Sequence, residues 1–389
     1  MSNTISQLLA LVKSALAGIE PEIFPDVNWQ QLYELAAFHS ITCLIASAAD
    51  KIDMPANIRD KLVQDQTFAI YREANQEFMV SKLMDDFEAA RIDHMPLKGF
   101  ILKHMYPSIE MRNMCDVDIL IHQEEIDKIA PIMEKNGFSF EKDSPHEFIF
   151  VSGVVTVELH KSLVPNYNKD LYSYYGDGWR LAKLEGGFKY RYELPFEDFY
   201  VYNIVHTAKH YLNGGTGIRQ LADIYVMQKS DWFANADKEY INIELQKLGL
   251  DQFAKLLSEL CNAWFDGASY SKNTEQMSEY ILNSGVYGTQ ERADSSRVYR
   301  ASEHSSYKAV KVKSFVKMLF PKREGLLNRY PILREKPRLY PIYIVYRWVD
   351  VLFHRRSNIK KNFESNLVSD EQVDSFARHC EQMGLRKTL

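Results

Sequence analysis

Asp116 and Asp118 stand two residues apart, and so do Glu158 and His160 further along the chain. On a β-strand, residues two apart project to the same face. Val117 and Ile119, and likewise Val157 and Leu159, are the apolar neighbours that such strands turn toward a core. If the two strands are neighbours in one sheet, three carboxylates converge on one spot. Like charges that close repel strongly unless a cation lies among them. Magnesium suits such a site, because it prefers carboxylate oxygens together with water and substrate phosphates. Two such ions about 3.5–4 Å apart stabilise the attacking and leaving oxygens of an in-line displacement at phosphorus. The pattern points to phosphoryl or nucleotidyl transfer. Asp116 and Asp118 would bridge the ions, and Glu158 would complete the one that activates the acceptor. A lone D-x-D says little, since it occurs by chance at strand ends and turns. Its place between Lys98-Gly99 and Glu158-x-His160 is what singles it out.

Other residue types invite chemistry with less specificity. Arg112, four residues before Asp116, either grips phosphate through charge-assisted hydrogen bonds or neutralises the acidic cluster. His206 and His210 have the i, i+4 spacing of zinc ligands, but H-T-A-K-H lacks the glutamate of H-E-x-x-H. A buried histidine pair, or one lining a nucleotide pocket, is the plainer alternative. Arg219 and Asp223 are also i, i+4, which suits a weak intrahelical ion pair or an Arg219 contact to phosphate or ribose. Gly214-Gly215-Thr216-Gly217 opens a helix whose first N–H groups could meet phosphate, or it is a plain loop.

The elements that must position these residues are legible in outline. Residues 1 to about 94 carry apolar residues at helical spacing, and 56–92 hold no Gly or Pro, so one or two long helices are expected there. Phe68, Tyr71, Phe78, Leu83 and Phe87 are the expected core-facing residues of that stretch. From His94 the texture changes. A short apolar run ends at Lys98-Gly99, a short helix stops at Pro107, and 117–121 alternates as a strand. A helix over 123–136 is followed by strands at 138–141, 147–151 and 154–160, the last two joined by a tight turn at Ser152-Gly153. Helices return from about Pro195, with 197–212 and 218–229 the clearest. The expected class is α+β, with a small mixed sheet carrying helices on one side. It would comprise an N-terminal helical region (1–85), a nucleotidyltransferase core (86–165) and a mostly helical C-terminal region (166–389) closing the cleft.

Composition bounds the rest. The 389 residues are 46% hydrophobic and 25% charged, ordinary for a globular enzyme, and the net charge of −5 gives no global case for binding nucleic acid. Residues 308–361 are the exception, with fifteen basic and three acidic side chains. Aromatic residues are interleaved there, which most simply suits a segment that packs its rings on the protein and exposes its charges, with peripheral contact to an anionic membrane or to nucleic acid as the alternatives. Cys43, Cys115, Cys261 and Cys380 are scattered, with no metal spacing, as in reduced cytoplasmic proteins. No run of eighteen apolar residues marks a membrane-spanning helix.

At these residues the chain resembles the DNA polymerase beta-like nucleotidyltransferase superfamily, which carries a Gly-Ser turn, a D-x-D or D-x-E strand and a later third carboxylate. More closely it resembles a bacterial group of uncharacterised nucleotidyltransferases. That group's pattern reads here as Leu97-Lys98-Gly99, Arg112 with Asp116 and Asp118, Glu158 with His160, His206 with His210, and Arg219 with Asp223. The resemblance implies magnesium-dependent transfer of a nucleoside monophosphate from an NTP to an acceptor hydroxyl. It implies Asp116, Asp118 and Glu158 as catalytic metal ligands, with Lys98, Gly99, Arg112, His160 and Arg219 around the nucleotide. The acceptor stays open among a sugar or polysaccharide precursor, a small molecule, a protein side chain and an RNA end. The chain departs from the superfamily at one point: Lys98-Gly99 replaces Gly-Ser, so a lysine would meet the phosphates as a point charge. A nucleotide-binding regulator that keeps this fold without its chemistry is the alternative.

Overall fold

The computed structural model describes residues 1–302, 305–320, 326, 330, 332–354 and 368–387. Five short strands form one mixed sheet: β1 (His94–Pro96), β2 (Val117–Ile121), β3 (Ser139–Asp143), β4 (Glu147–Ser152) and β5 (Val155–His160). Their order is β1-β2-β5-β4-β3. Only β2 and β5 run parallel, with Val117 opposite Val157 and Asp118 opposite Glu158. Parallel neighbours cannot share a tight turn. The crossover between them is the helix Ile126–Lys135 and the β3–β4 hairpin. Gly153, at φ 57°, supplies the left-handed residue of the tight turn from β4 to β5.

Alternation along β2 and β5 decides which layer each face meets. Val117, Ile119, Ile121, Val157 and Leu159 pack with Val80, Leu83, Met84 and Phe87 of the helix Ala56–Ala89, and with Ile129 and Met133 of Ile126–Lys135. The opposite face is covered too, which corrects the expected one-sided sheet. Leu120, Met95 and Leu97 join a second, larger core with Tyr202 and Val205 of the helix Phe196–Leu212 and with Ile224 of Ile218–Lys229. That same core holds Leu8, Leu11 and Val12 of Asn3–Ala17 and Leu44 and Ile45 of Thr42–Ala49. The N-terminal helices therefore share their apolar interior with the C-terminal ones.

The long helix Ala56–Ala89 buries Ile58, Leu62, Ala69, Glu73, Gln76, Val80, Leu83 and Phe87. These recur every three, four or seven residues, one continuous stripe. Phe68, Tyr71 and Phe78 fall off the stripe and are exposed, contrary to the expectation for them. The stripe is polar in its middle because Lys103, fully buried, reaches Glu73 and lies 2.6 Å from Glu77.

The glycine loop before Ile218–Lys229 is a packed joint. A Cβ on Gly215 would lie 2.3 Å from Ser284 Oγ, and one on Gly214 2.9 Å from Thr289 O. The helix's first donors are already engaged: Gly217 N–H donates to Gln220 Oε1 at 3.1 Å and Ile218 N–H to His39 Nδ1 at 3.3 Å. This favours the plain-loop reading over phosphate binding. His39 is fully buried, and its Nε2 donates to Leu282 O at 3.2 Å. Burial pushes its pKa down from 6.5 to about 4. Between those values the unfolded chain takes up a proton that the folded one excludes, so stability falls as pH drops through this window. The loss should reach on the order of 3 kcal/mol for this residue. Urea unfolding at pH 7 and pH 4.5 should show it, and His39→Gln should flatten the difference by about that amount.

Of the basic segment 308–361, the described parts include the helices Tyr307–Leu319, Ile332–Glu335 and Tyr340–His354 and the short 3-10 helix Pro337–Leu339, while residues 321–325, 327–329, 331 and 355–361 lie outside the described residues. Among the described residues no helix is long and apolar enough to cross a membrane.

Candidate active site

Backbone pairing builds the site. Leu97 N–H donates to Asp118 O at 3.0 Å, which brings the start of the helix Lys98–Leu102 beside β2. Lys98 takes a left-handed φ of 41°, uncommon for a residue with a side chain, and its Nζ lies 3.4 Å from Asp118 Oδ1. Gly99 is not the left-handed residue of this turn. It is needed for closeness: a Cβ there would meet Arg112 Nη1 at 2.4 Å and Met114 Sδ at 2.6 Å.

Asp118 and Glu158 lie side by side because they face each other in the β2–β5 register. His160, two residues beyond Glu158, sets its Nε2 2.5 Å from Asp118 Oδ1 and 3.7 Å from Glu158 Oε2. Asp118, Glu158 and His160 each place a ligand atom within 4.8 Å of the others, a set able to hold a cation. Asp116 sits just before β2 and lines the same cavity of about 260 Å³.

The titration behaviour shows surplus negative charge. Burial, then the charges of Asp116, Asp118 and Glu147, push Glu158 up to about 7. Burial and the Asp118 charge hold Asp116 above its ordinary value. Burial alone would raise Asp118 as well, but Lys98 and His160 outweigh it and hold that carboxyl well below its usual range. Two of these three carboxyls thus resist ionisation, first through burial and then through the charges of their neighbours. A bound divalent cation supplies compensating charge, so the residues fit one.

The other expected residues divide. His206, His210 and Arg219 line this cavity, as do Lys98, Gly99 and Arg112. The His206 and His210 rings stand 4.4 Å apart, edge to face, and belong to no three-residue metal set among the described residues. Asp223 does not pair with Arg219. It takes both hydrogen bonds of Arg112, from Nε at 2.8 Å and Nη2 at 3.0 Å, and a third from Tyr106 Oη at 2.7 Å. Arg219 Nη1 donates to Asn113 O at 2.9 Å instead. Arg112 is therefore committed to Asp223, while no ion pair engages Lys209 or Arg219 among the described residues.

Several lining residues lay beyond the sequence reading. Tyr202 and Lys209 share a helix face with His206 and His210 at i, i+4, i+7 and i+8, a polar stripe on an otherwise buried helix that could have been noticed. His146 lies in the bend before β4 and Glu147 opens that strand, and no motif marks either as a site residue.

Residues 25–266, well over half the chain, match a family model described as uncharacterised nucleotidyltransferase. Searches of curated proteins and of solved structures find no match. The matched span includes Lys98, Asp116, Asp118, Glu158, His160 and the helix faces that close over them. With its acidic cleft between sheet and helices, the chain belongs to the uncharacterised nucleotidyltransferase family and is a transferase of phosphorus-containing groups.

Proposed function

We propose that this protein transfers a nucleoside monophosphate from an NTP to an acceptor hydroxyl in a magnesium-dependent reaction, on a DNA polymerase beta-like core. The pairing of Asp118 with Glu158 across parallel strands, beside Asp116, carries the reading. Magnesium, when bound, supplies Lewis-acid stabilisation of the charge that develops on the phosphoryl oxygens. Asp116, Asp118 and Glu158 are the residues that would hold two such ions. The acceptor oxygen forms its bond to the α-phosphorus as the bond to the β-phosphate bridging oxygen breaks, and pyrophosphate leaves. Glu158, lining the cavity opposite Asp118, is also the residue placed to help take the acceptor's proton. Lys98, Lys209 and Arg219 are the cavity cations available for phosphate, and Arg112 supports the site through Asp223.

The direct test incubates the protein with each labelled NTP, magnesium and cell extract, then identifies what becomes labelled. Label should appear in an acceptor, with pyrophosphate released, and chelator should abolish it. NTP binding of equal strength with and without magnesium, measured by calorimetry, would sink the metal-dependent reading.

Lys98→Met separates the charge from the stem of that side chain. A direct charge-assisted contact to phosphate is worth roughly 1.5–3 kcal/mol, or roughly a ten- to hundred-fold loss in NTP affinity. Bare nucleoside should bind almost unchanged. Equal weakening of nucleoside and NTP would instead make Lys98 a structural partner of Asp118.

A further inference from the structure

The His160 ring faces two ways. Its Nε2 points to Asp118 and Glu158, as described, and its Nδ1 lies 3.1 Å from Nε2 of His146. Glu147 stands directly opposite His160 in the β4–β5 register. Its Oε1 accepts from Ser144 Oγ at 3.1 Å, which orients the carboxylate. His146, Glu147 and His160 each place a ligand atom within 4.8 Å of the others. From this geometry we infer that His146, Glu147 and His160 form a second metal site, built for a divalent transition metal, on the outer side of His160 from the three carboxylates.

The donor set carries the choice of ion. Two imidazoles and one carboxylate suit zinc and its transition-metal neighbours, whereas magnesium prefers all-oxygen surroundings. Two ring nitrogens 3.1 Å apart can both reach one ion at the ordinary metal–nitrogen distance of roughly 2.1 Å. Asp118 stands behind His160 as the carboxylate that fixes a ligating imidazole, accepting from one ring nitrogen so that the other presents its lone pair. This site does not depend on the proposed transfer reaction. It would tie β4 to β5 and hold His160 against Asp118.

Cobalt(II) is the probe, because its visible absorption reports nitrogen ligands without any assay of activity. The full-length protein should retain a single cobalt ion, with a visible band, in a large excess of magnesium. His146→Ala should abolish the band, and so should His146→Gln, which keeps the residue polar if the smaller one disturbs the fold. Asp116→Asn, which alters only the carboxylate site, should keep the band. Circular dichroism establishes that each variant is folded. A band that survives both His146 variants, one that is lost in Asp116→Asn, or a folded wild-type protein that shows no band would each overturn the inference.

Discussion

Asp118→Asn should leave a folded protein whose nucleotide transfer is slower by about a thousandfold or more. Asp118 is the carboxylate on which the site turns: Lys98 lies 3.4 Å away, His160 2.5 Å away, and Glu158 is its partner across the sheet. The amide keeps the shape and loses the charge that would hold cations between β2 and β5. Metal stabilisation of a phosphoryl transition state is worth several kcal/mol. At roughly 1.36 kcal/mol per decade, about 4 kcal/mol corresponds to the thousandfold loss. Stability should fall as well, because Lys98 loses the carboxylate 3.4 Å from its Nζ and keeps only the lesser attraction of Asp116. Steady-state rates against a saturating labelled NTP, with a melting curve beside them, make the check. Activity within tenfold of wild type would remove Asp118 from the chemistry.

The site was legible where period and chemistry coincide. The alternation of Val117, Asp118 and Ile119 marks β2, and that of Val157, Glu158 and Leu159 marks β5. That the two strands pair in parallel, with β3 and β4 beyond, is a matter of long-range order, to which local spacing is blind. The long helix shows the opposite failure. Its rings at Phe68, Tyr71 and Phe78 outweigh Glu73 and Gln76 in any count of apolar residues, yet Glu73 is inside, because Lys103 arrives from elsewhere to pair with it. Partner choice defeats local reading in the same way at Asp223. Four residues from Arg219 on one helix, it is claimed by Arg112, more than a hundred residues away in the chain.

That claim sets the second large effect. Arg112→Met should destabilise the fold by roughly 3–5 kcal/mol, the usual consequence of removing one partner from a buried ion pair. Arg112 is 8% exposed, holds Asp223 through two hydrogen bonds and packs so tightly on Gly99 that not even a methyl group fits between them. Without the guanidinium, Asp223 keeps Tyr106 Oη as a donor but has no other ion-pair partner within 4.0 Å among the described residues. The melting temperature should fall by roughly 5–15 °C. Asp223→Asn in the same chain should restore part of the loss, because the stranded charge then disappears and only the hydrogen bonds are missing. Two roles for Arg112 are separable on this ground. A grip on triphosphate would show as weaker NTP binding in a protein of unchanged melting temperature. A brace between the Lys98–Gly99 turn and the helix Ile218–Lys229 would show as lost stability that the second substitution partly returns, and the geometry of Asp223 calls for the brace.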